Sequence, residues 1–269
     1  MKVLVVGGSG YIGGSFAEYV SKNAKIQSEF SVDVVDSRGG WLQKDFAGFD
    51  SVIFAAGIAH RRQSSQNAHL YFEVNRDLAI AIAEKAKIAK VSQFVYLSSM
   101  SVYGKKQGEI SAHTKPNPRH NDYYGTSKYQ AEDALKNLEA EGFVVAIIRP
   151  PMVYGPNCRG KYRQLVKIAK FLPIVPCNKN KRSVIYIDNL SRFLCTVVQN
   201  RAGGIFCPQD EEYACTSKMV QEIRRQNGKK TVIIGMGWLV NLCMAIFPPM
   251  ETAFGSLYYA AQPPFADNM

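Results

Sequence analysis

The sequence predicts a doubly wound α/β fold, a parallel sheet with helices on both faces, followed by a smaller C-terminal domain. Three observations carry that expectation. The apolar run Val3–Val6 opens the chain and breaks into Gly7-Gly8-Ser9-Gly10-Tyr11-Ile12-Gly13-Gly14 before a helical pattern begins. Short apolar runs then alternate with helical stretches as far as Ile148. The runs are almost continuously apolar rather than alternating, as parallel strands buried on both faces must be.

Composition sets the bounds. A chain of 269 residues with 46% apolar and 20% charged residues can bury one large core with a smaller partner. Met1-Lys2 leads straight into the first strand, so no secretory leader is expected. Cys158, Cys177, Cys195, Cys207, Cys215 and Cys243 include no Cys-x-x-Cys pair. They read as buried thiols of a reducing, cytoplasmic compartment, with no metal site. The formal charge of +11 suits nucleic acid, anionic lipid or a phosphorylated ligand. The cations are scattered and no nucleic-acid motif is present, so an anionic nucleotide ligand is the simpler account, beside plain solubility.

In chain order, the strand Val3–Val6 and the helix from Phe16 flank the glycine turn. Glycines at positions 7, 10 and 13 allow a sharp turn, close approach to a pyrophosphate and tight helix–strand packing. The cofactor-binding set here is Gly7, Gly10, Tyr11, Ile12 and Gly13. The second strand, Ser31–Val35, ends in Asp36, about 20 residues on, where a carboxylate accepts hydrogen bonds from an adenosine ribose. Asp36 favours NAD over NADP because a 2′-phosphate would meet a negative charge; Arg38 keeps NADP open. Asp45 and Phe46 either touch the adenine or belong to a plain loop. The strand Ser51–Phe54 runs into Ala55, Ala56 and Gly57, small enough for close approach by a cofactor. His60, Arg61 and Arg62 follow on a loop, facing substrate phosphate or solvent. A helix is expected over residues 72–87, then the strand Phe94–Leu97, which ends in Ser98-Ser99-Met100-Ser101.

The next helix, from about Tyr124, places Tyr124 and Lys128 at i and i+4 on one face, with Tyr123 pointing away. A phenol near pKa ~10 needs roughly three units of depression, or ~4 kcal/mol, to act as a base near neutrality. One cation at ~4 Å, at an effective dielectric of about 20, supplies that amount. The spacing alone is weak in a chain with 14 tyrosines, and the other motifs must decide.

Together, the glycine turn, Asp36, Ser98-Ser99 and Tyr124-Gly125-Thr126-Ser127-Lys128 resemble the extended short-chain dehydrogenase/reductase family. The closest resemblance is to its NAD-dependent nucleotide-sugar epimerase/dehydratase group, UDP-glucose 4-epimerase-like, over roughly residues 1–200. Phe94–Gly104 and Arg149-Pro150-Pro151-Met152-Val153-Tyr154-Gly155-Pro156 are similar to that group's active-site strand and substrate loop. The resemblance implies a Rossmann domain over residues 1–150, with a return segment at about 184–198. Residues 151–183 and 199–269 would form the small substrate-binding domain. It implies Ser99, Tyr124 and Lys128 as catalytic residues, and Lys128 as the cation that lowers the Tyr124 pKa and holds the nicotinamide ribose. Asn75, Ser98 and Pro151 join the cofactor set, while Ser99, Ser101, Met152 and Arg182 face the sugar nucleotide. It also implies a homodimer through the helices of Asn75 and Tyr124.

The departures matter as well. Met100-Ser101 replaces the acidic pair of the dehydratases, which argues against 4,6-dehydration. Met152 stands where the galactose epimerases carry a phosphate-binding asparagine, closer to enzymes of surface-polysaccharide synthesis that include 4-keto-sugar reductases. The leading reading is therefore an NAD-dependent C4 epimerase of a UDP-sugar, and the alternative is an NAD(P)H-dependent 4-keto reductase. A non-catalytic dinucleotide-binding regulator is disfavoured by retention of Ser99, Tyr124 and Lys128.

In the last third, residues 161–171 and 217–225 read as helices, 204–207 as a strand and 179–183 as a basic loop. The apolar run over 231–247 is too short and too glycine-broken for a membrane span. It reads as a helix on the sugar domain, with peripheral membrane contact as the lesser alternative.

Overall fold

A computed structural model describes residues 1–59, 62–119, 122–158, 160–177, 179–235 and 254–260. The strands are β1 (Lys2–Val6), β2 (Ser31–Val35), β3 (Ser51–Phe54), β4 (Gln93–Leu97), β5 (Gly108–Ile110) and β6 (Val144–Ile148). They continue with β7 (Met152–Tyr154), β8 (Ile174–Pro176), β9 (Val184–Tyr186), β10 (Gly204–Phe206), β11 (Val232–Ile234) and β12 (Leu257–Tyr259). The helices are α1 (Tyr11–Lys22), α2 (Ala24–Glu29), α3 (Gly40–Gln43), α4 (Ala68–Phe72), α5 (Leu78–Ile88) and α6 (Tyr123–Lys136). Then come α7 (Lys161–Ala169), α8 (Ile187–Gln199) and α9 (Thr216–Gln226).

Six strands form one parallel sheet in the order β10-β6-β4-β3-β1-β2, which crosses over on both sides of the opening strand. Side-chain alternation explains why these strands read as solid apolar runs. Leu4 and Val6 of β1 face one layer with Ala79, Ile82, Ala83 and Ala86 of α5. Val3 and Val5 face the other, with Phe16 and Val20 of α1 and Leu190, Leu194 and Val198 of α8. Both faces are hidden, so neither needs polar residues.

Three expectations change. The strand Gly204–Phe206 falls within the stretch assigned to the small domain, yet it pairs with β6 and completes the main sheet. The helix expected over 72–87 begins as α4, passes through a π-helical turn at Glu73–Asp77 and resumes as α5. The extra residue of that turn carries Asn75 into the interior, where it is fully buried. The run 231–247 does not begin as a helix: Val232–Ile234 pairs in parallel with β8. β-branched residues suit that pairing, and residues 236–247 lie outside the described residues.

An ion pair pins the layers together beneath the carboxyl ends of the strands. Glu132 of α6 and Arg149, just past β6, are 0% and 4% exposed at their side chains. Arg149 Nε donates to Glu132 Oε1 at 3.0 Å and its Nη1 donates to the Tyr103 hydroxyl at 2.8 Å. The Ser98 hydroxyl donates to the same carboxylate, and Tyr259 donates to the Arg149 carbonyl at 2.7 Å. Removing one partner strands a buried charge, so Arg149→Met is expected to cost about 3–5 kcal/mol in urea unfolding. The double change with Glu132→Gln should recover much of that loss; an unchanged midpoint in the single variant would refute the account.

Candidate functional site

The site is built from the start of α6 and the carboxyl ends of β1, β3 and β4. Asp122 caps α6, its Oδ1 accepting from Gly125 N at 3.1 Å. Gln63 bridges the same turn: its Nε2 donates to Asp122 Oδ1 at 3.0 Å, and its Oε1 accepts from Tyr124 N at 3.1 Å. Gly125 lets the helix approach the turn after β4, since a Cβ there would lie 2.9 Å from the Ser101 carbonyl oxygen. This fixes the backbone that carries Tyr124.

Ser99 follows the end of β4, its Oγ accepting from Ser101 N at 3.1 Å and donating to Ser101 Oγ at 3.2 Å, and its hydroxyl acts on the neighbouring Tyr124 phenol. Burial pushes the Tyr124 phenol above its ordinary value, the Ser99 hydrogen bond pulls it down, and the nearby Asp122 charge pushes it up. The net direction is upward, opposite to the depression the Tyr–Lys pairing implies. The first cause is the phenol's own burial, and Lys128 is desolvated beside it. Its side chain is 3% exposed, and burial pulls its pKa down from 10.5 to about 7 against the opposing pull of Glu132. Its Nζ donates to the Leu97 carbonyl at 2.7 Å and lies 4.6 Å from the Tyr96 ring centroid. An ammonium that is itself only half retained at neutrality is a weak source of field for the phenol.

Asn75 organises the neighbouring wall. Its Oδ1 accepts from Ile58 N at 2.8 Å, and its Nδ2 donates to the Ile58 carbonyl and to Ser127 Oγ, each at 3.1 Å. Ser127 in turn donates to the Tyr124 carbonyl at 3.0 Å. Gly57 closes the gap between the two walls: a Cβ there would stand 3.1 Å from Asn75 Oδ1 and 3.4 Å from Lys128 Nζ. The end of β3 and the tyrosine helix therefore share one crevice.

The glycine turn fits a dinucleotide pyrophosphate. Gly7 has φ +92°, and a Cβ on it would fall 2.6 Å from Ala56 N; one on Gly13 would fall 2.8 Å from the Gly7 oxygen. No side chain caps the first turn of α1 and no acid lies in it, which leaves Tyr11 and Ile12 at a helix N-terminus suited to an anion. The Tyr11 hydroxyl is buried with no hydrogen-bond partner, a donor for a ligand acceptor. Asp36 is exposed at the end of β2, its Oδ1 accepting from Arg38 N at 3.1 Å.

Other expected residues fall differently. Phe46 is 1% exposed and packs in the core beneath Lys85, so its ring cannot stack on an adenine; Asp45 beside it is exposed. The Ser98 side chain turns inward to Glu132, away from the crevice. Ala55 and Ala56 line the end of β3, Pro151 is buried, and Met152 lies on β7 paired with Val184. Arg182 donates from Nη1 to the Gly255 carbonyl at 2.9 Å, and burial pulls its pKa down. His60 and Arg61 lie outside the described residues. The sequence reading missed Gln63, Asp122 and Glu132. Asp122 three residues before Gly125 is a capping signal, and Glu132 continues the i, i+4 face of Tyr124 and Lys128. Gln63 had no local signal.

Lys128 is expected to titrate near pH 7 in NMR of ¹³Cε-labelled lysine, with Lys128→Met assigning the signal; a midpoint near the ordinary 10.5 would overturn the burial argument. Between those values the unfolded chain holds a proton that the folded chain has released. Wild-type stability should therefore rise with pH relative to Lys128→Met across that window.

The model of the NAD dependent epimerase/dehydratase family matches residues 3–206. The UDP-glucose 4-epimerase of Vibrio cholerae is 31% identical over 183 residues, covering 64% of this chain and 55% of that protein. The chain thus spans about half the length of the curated relatives first matched. Among solved structures, the UDP-glucuronic acid 4-epimerase of Bacillus cereus, in complex with NAD, has a TM-score of 0.72 at 20% identity, covering 96% of this chain and 87% of its own. A dTDP-4-dehydrorhamnose reductase from Clostridium acetobutylicum has a TM-score of 0.69 at 18% identity, covering 87% and 83%.

Proposed function

The chain belongs to the NAD dependent epimerase/dehydratase family, and on that premise we propose that it epimerises a nucleotide-diphosphate sugar at C4 through a 4-keto intermediate. The observation that carries this reading is the placement of the Ser99 hydroxyl beside the Tyr124 phenol, next to the crevice wall that Gly57 and Lys128 share. NAD would lie along Gly7, Gly10, Tyr11, Ile12 and Gly13, with Asp36 at the adenosine ribose. When bound, it supplies a reversible hydride acceptor.

Each side chain then has a separate task. Ser99 donates a hydrogen bond to the sugar oxygen at the reacting carbon and holds it against the Tyr124 phenol. Tyr124 takes the hydroxyl proton as the carbonyl forms and returns it when the carbonyl is reduced. On this phenol burial acts upward and the Ser99 hydroxyl acts downward, and burial is the larger of the two. Lys128, four residues on along the same face, is the cation that shifts this balance towards the base. Its proton is retained when a ligand hydroxyl accepts from Nζ, which offsets part of the desolvation that lowers its pKa. Ser101 and Arg182 stand on the substrate side, the latter oriented by Gly255.

A single-pass 4-keto reductase is the second reading, and Met152 favours it. Its side chain offers β7 no strong hydrogen bond with which to hold the sugar nucleotide in two orientations, and a C4 epimerase must present both faces of the keto sugar.

The two are told apart by supplying UDP-glucose, UDP-galactose and their N-acetyl forms to purified protein without added NADH, then resolving the sugars. Appearance of the C4 epimer supports epimerisation. No turnover there, with NADH consumed only when a 4-keto sugar is given, would replace it with the reductase. Tyr124→Phe should lower turnover about 10²–10⁴-fold while leaving NAD affinity, measured by calorimetry, within a small factor of wild type. Persistent activity would refute the role of the phenol.

A further inference from the structure

The region formed by α7, α9, β8 and β11 hides one set of apolar residues and leaves another outside. Ala169, Val175, Val220 and Ile223 are buried in a small core that Leu165 and Leu172 pack against. Ile168, Phe171, Ile174 and Val232 are 56%, 82%, 54% and 58% exposed. These four are close in the fold. Ile174 and Val232 are direct partners in the parallel ladder, so their side chains leave the same face of the two-stranded sheet. Phe171 closes the end of α7, its N–H donating to the Ile168 carbonyl at 3.0 Å, and Val232 N donates to the Pro173 carbonyl at 2.9 Å.

The patch is held on a stiff platform. The Arg224 guanidinium donates to the carbonyls of Ala169 and Lys170 at 3.0 Å each, to Lys230 O at 2.9 Å and to Thr231 Oγ1 at 2.9 Å. One buried side chain thus clamps the end of α7 to the lead-in of β11. The exposed lysines 167, 170, 229 and 230 rim the apolar residues, with Lys229 Nζ donating to the Lys170 carbonyl at 3.1 Å. No acidic residue occurs anywhere between Glu141 and Asp188. Exposed large apolar side chains in a one-sign basic rim match the chemistry of an anionic lipid interface, where rings and branched chains enter the acyl boundary and ammonium groups meet the headgroups.

We propose that the face formed by Ile168, Phe171, Ile174 and Val232, with its lysine rim, docks this protein on the surface of an anionic lipid bilayer. A surface of one copy meeting another would place these like charges opposite each other, which disfavours self-association. None of these residues belongs to the candidate catalytic or cofactor site, and the inference does not rest on the epimerase reading.

The test is co-sedimentation of the full chain with vesicles of phosphatidylcholine alone and of phosphatidylcholine with phosphatidylglycerol. Binding is expected with the anionic vesicles, weakening as salt rises. Phe171→Ser with Ile174→Ser should weaken it about tenfold, and Lys167→Glu with Lys170→Glu by a similar factor or more. Circular dichroism and thermal melting should show both variants folded, because each changed side chain lies outside the small core. Three outcomes would overturn the inference: equal sedimentation with and without vesicles, binding that survives both double variants, or a lipid-free dimer in analytical ultracentrifugation that Phe171→Ser dissolves.

Discussion

The structure hangs on the buried Glu132–Arg149 pair. It joins the middle of α6 to the chain just past β6, and through Ser98 and Tyr103 it reaches the end of β4 and the turn beyond it. Glu132 lies four and eight residues along the helix from Lys128 and Tyr124, so fixing it fixes the rotation of that whole face. A buried ion pair contributes modestly to net stability when its partners are both present. What it supplies here is register: only one rotation of α6 satisfies the carboxylate, and that rotation aims Tyr124 at Ser99.

The same burial that rigidifies the face sets its electrostatics. Lys128 surrenders its water to a carbonyl and a tyrosine ring, and its pKa falls to about 7 as a result. Tyr124 moves the other way for the same reason. Two groups of opposite charge type, desolvated together, converge toward the neutral forms. A bound polar ligand that restores hydrogen bonds to both would push them apart again.

Two regions of the molecule differ in their chemistry. The glycine turn, Asp36 and the tyrosine helix lie at the carboxyl edge of the parallel sheet, where a crevice forms at the switch in strand order. The α7–β8–β11 region carries a different signature, an apolar face in a basic rim on a clamped platform. It contributes nothing to the sheet core, and its exposed residues are free to serve a surface role.

How much of this was legible in the sequence follows from the range of the forces involved. Glycines at positions 7, 10 and 13, the apolar strand runs and the Tyr124–Lys128 spacing are local patterns, and the sheet, its cradle and the tyrosine face follow from them because backbone sterics and side-chain periodicity act within a few residues. Phe46, Ser98, Gln63 and the strand Gly204–Phe206 are another matter. Whether Phe46 faces an adenine or the core, and whether Gln63 reaches Tyr124, depends on contacts between segments dozens of residues apart. So does the Tyr124 pKa, which spacing alone would lower and burial raises. The sequence by itself determined the glycine turn and the shared helix face of Tyr124 and Lys128. Only the tertiary structure decided how much water they keep, and desolvation, being a property of the packed whole, has no signature in any local stretch.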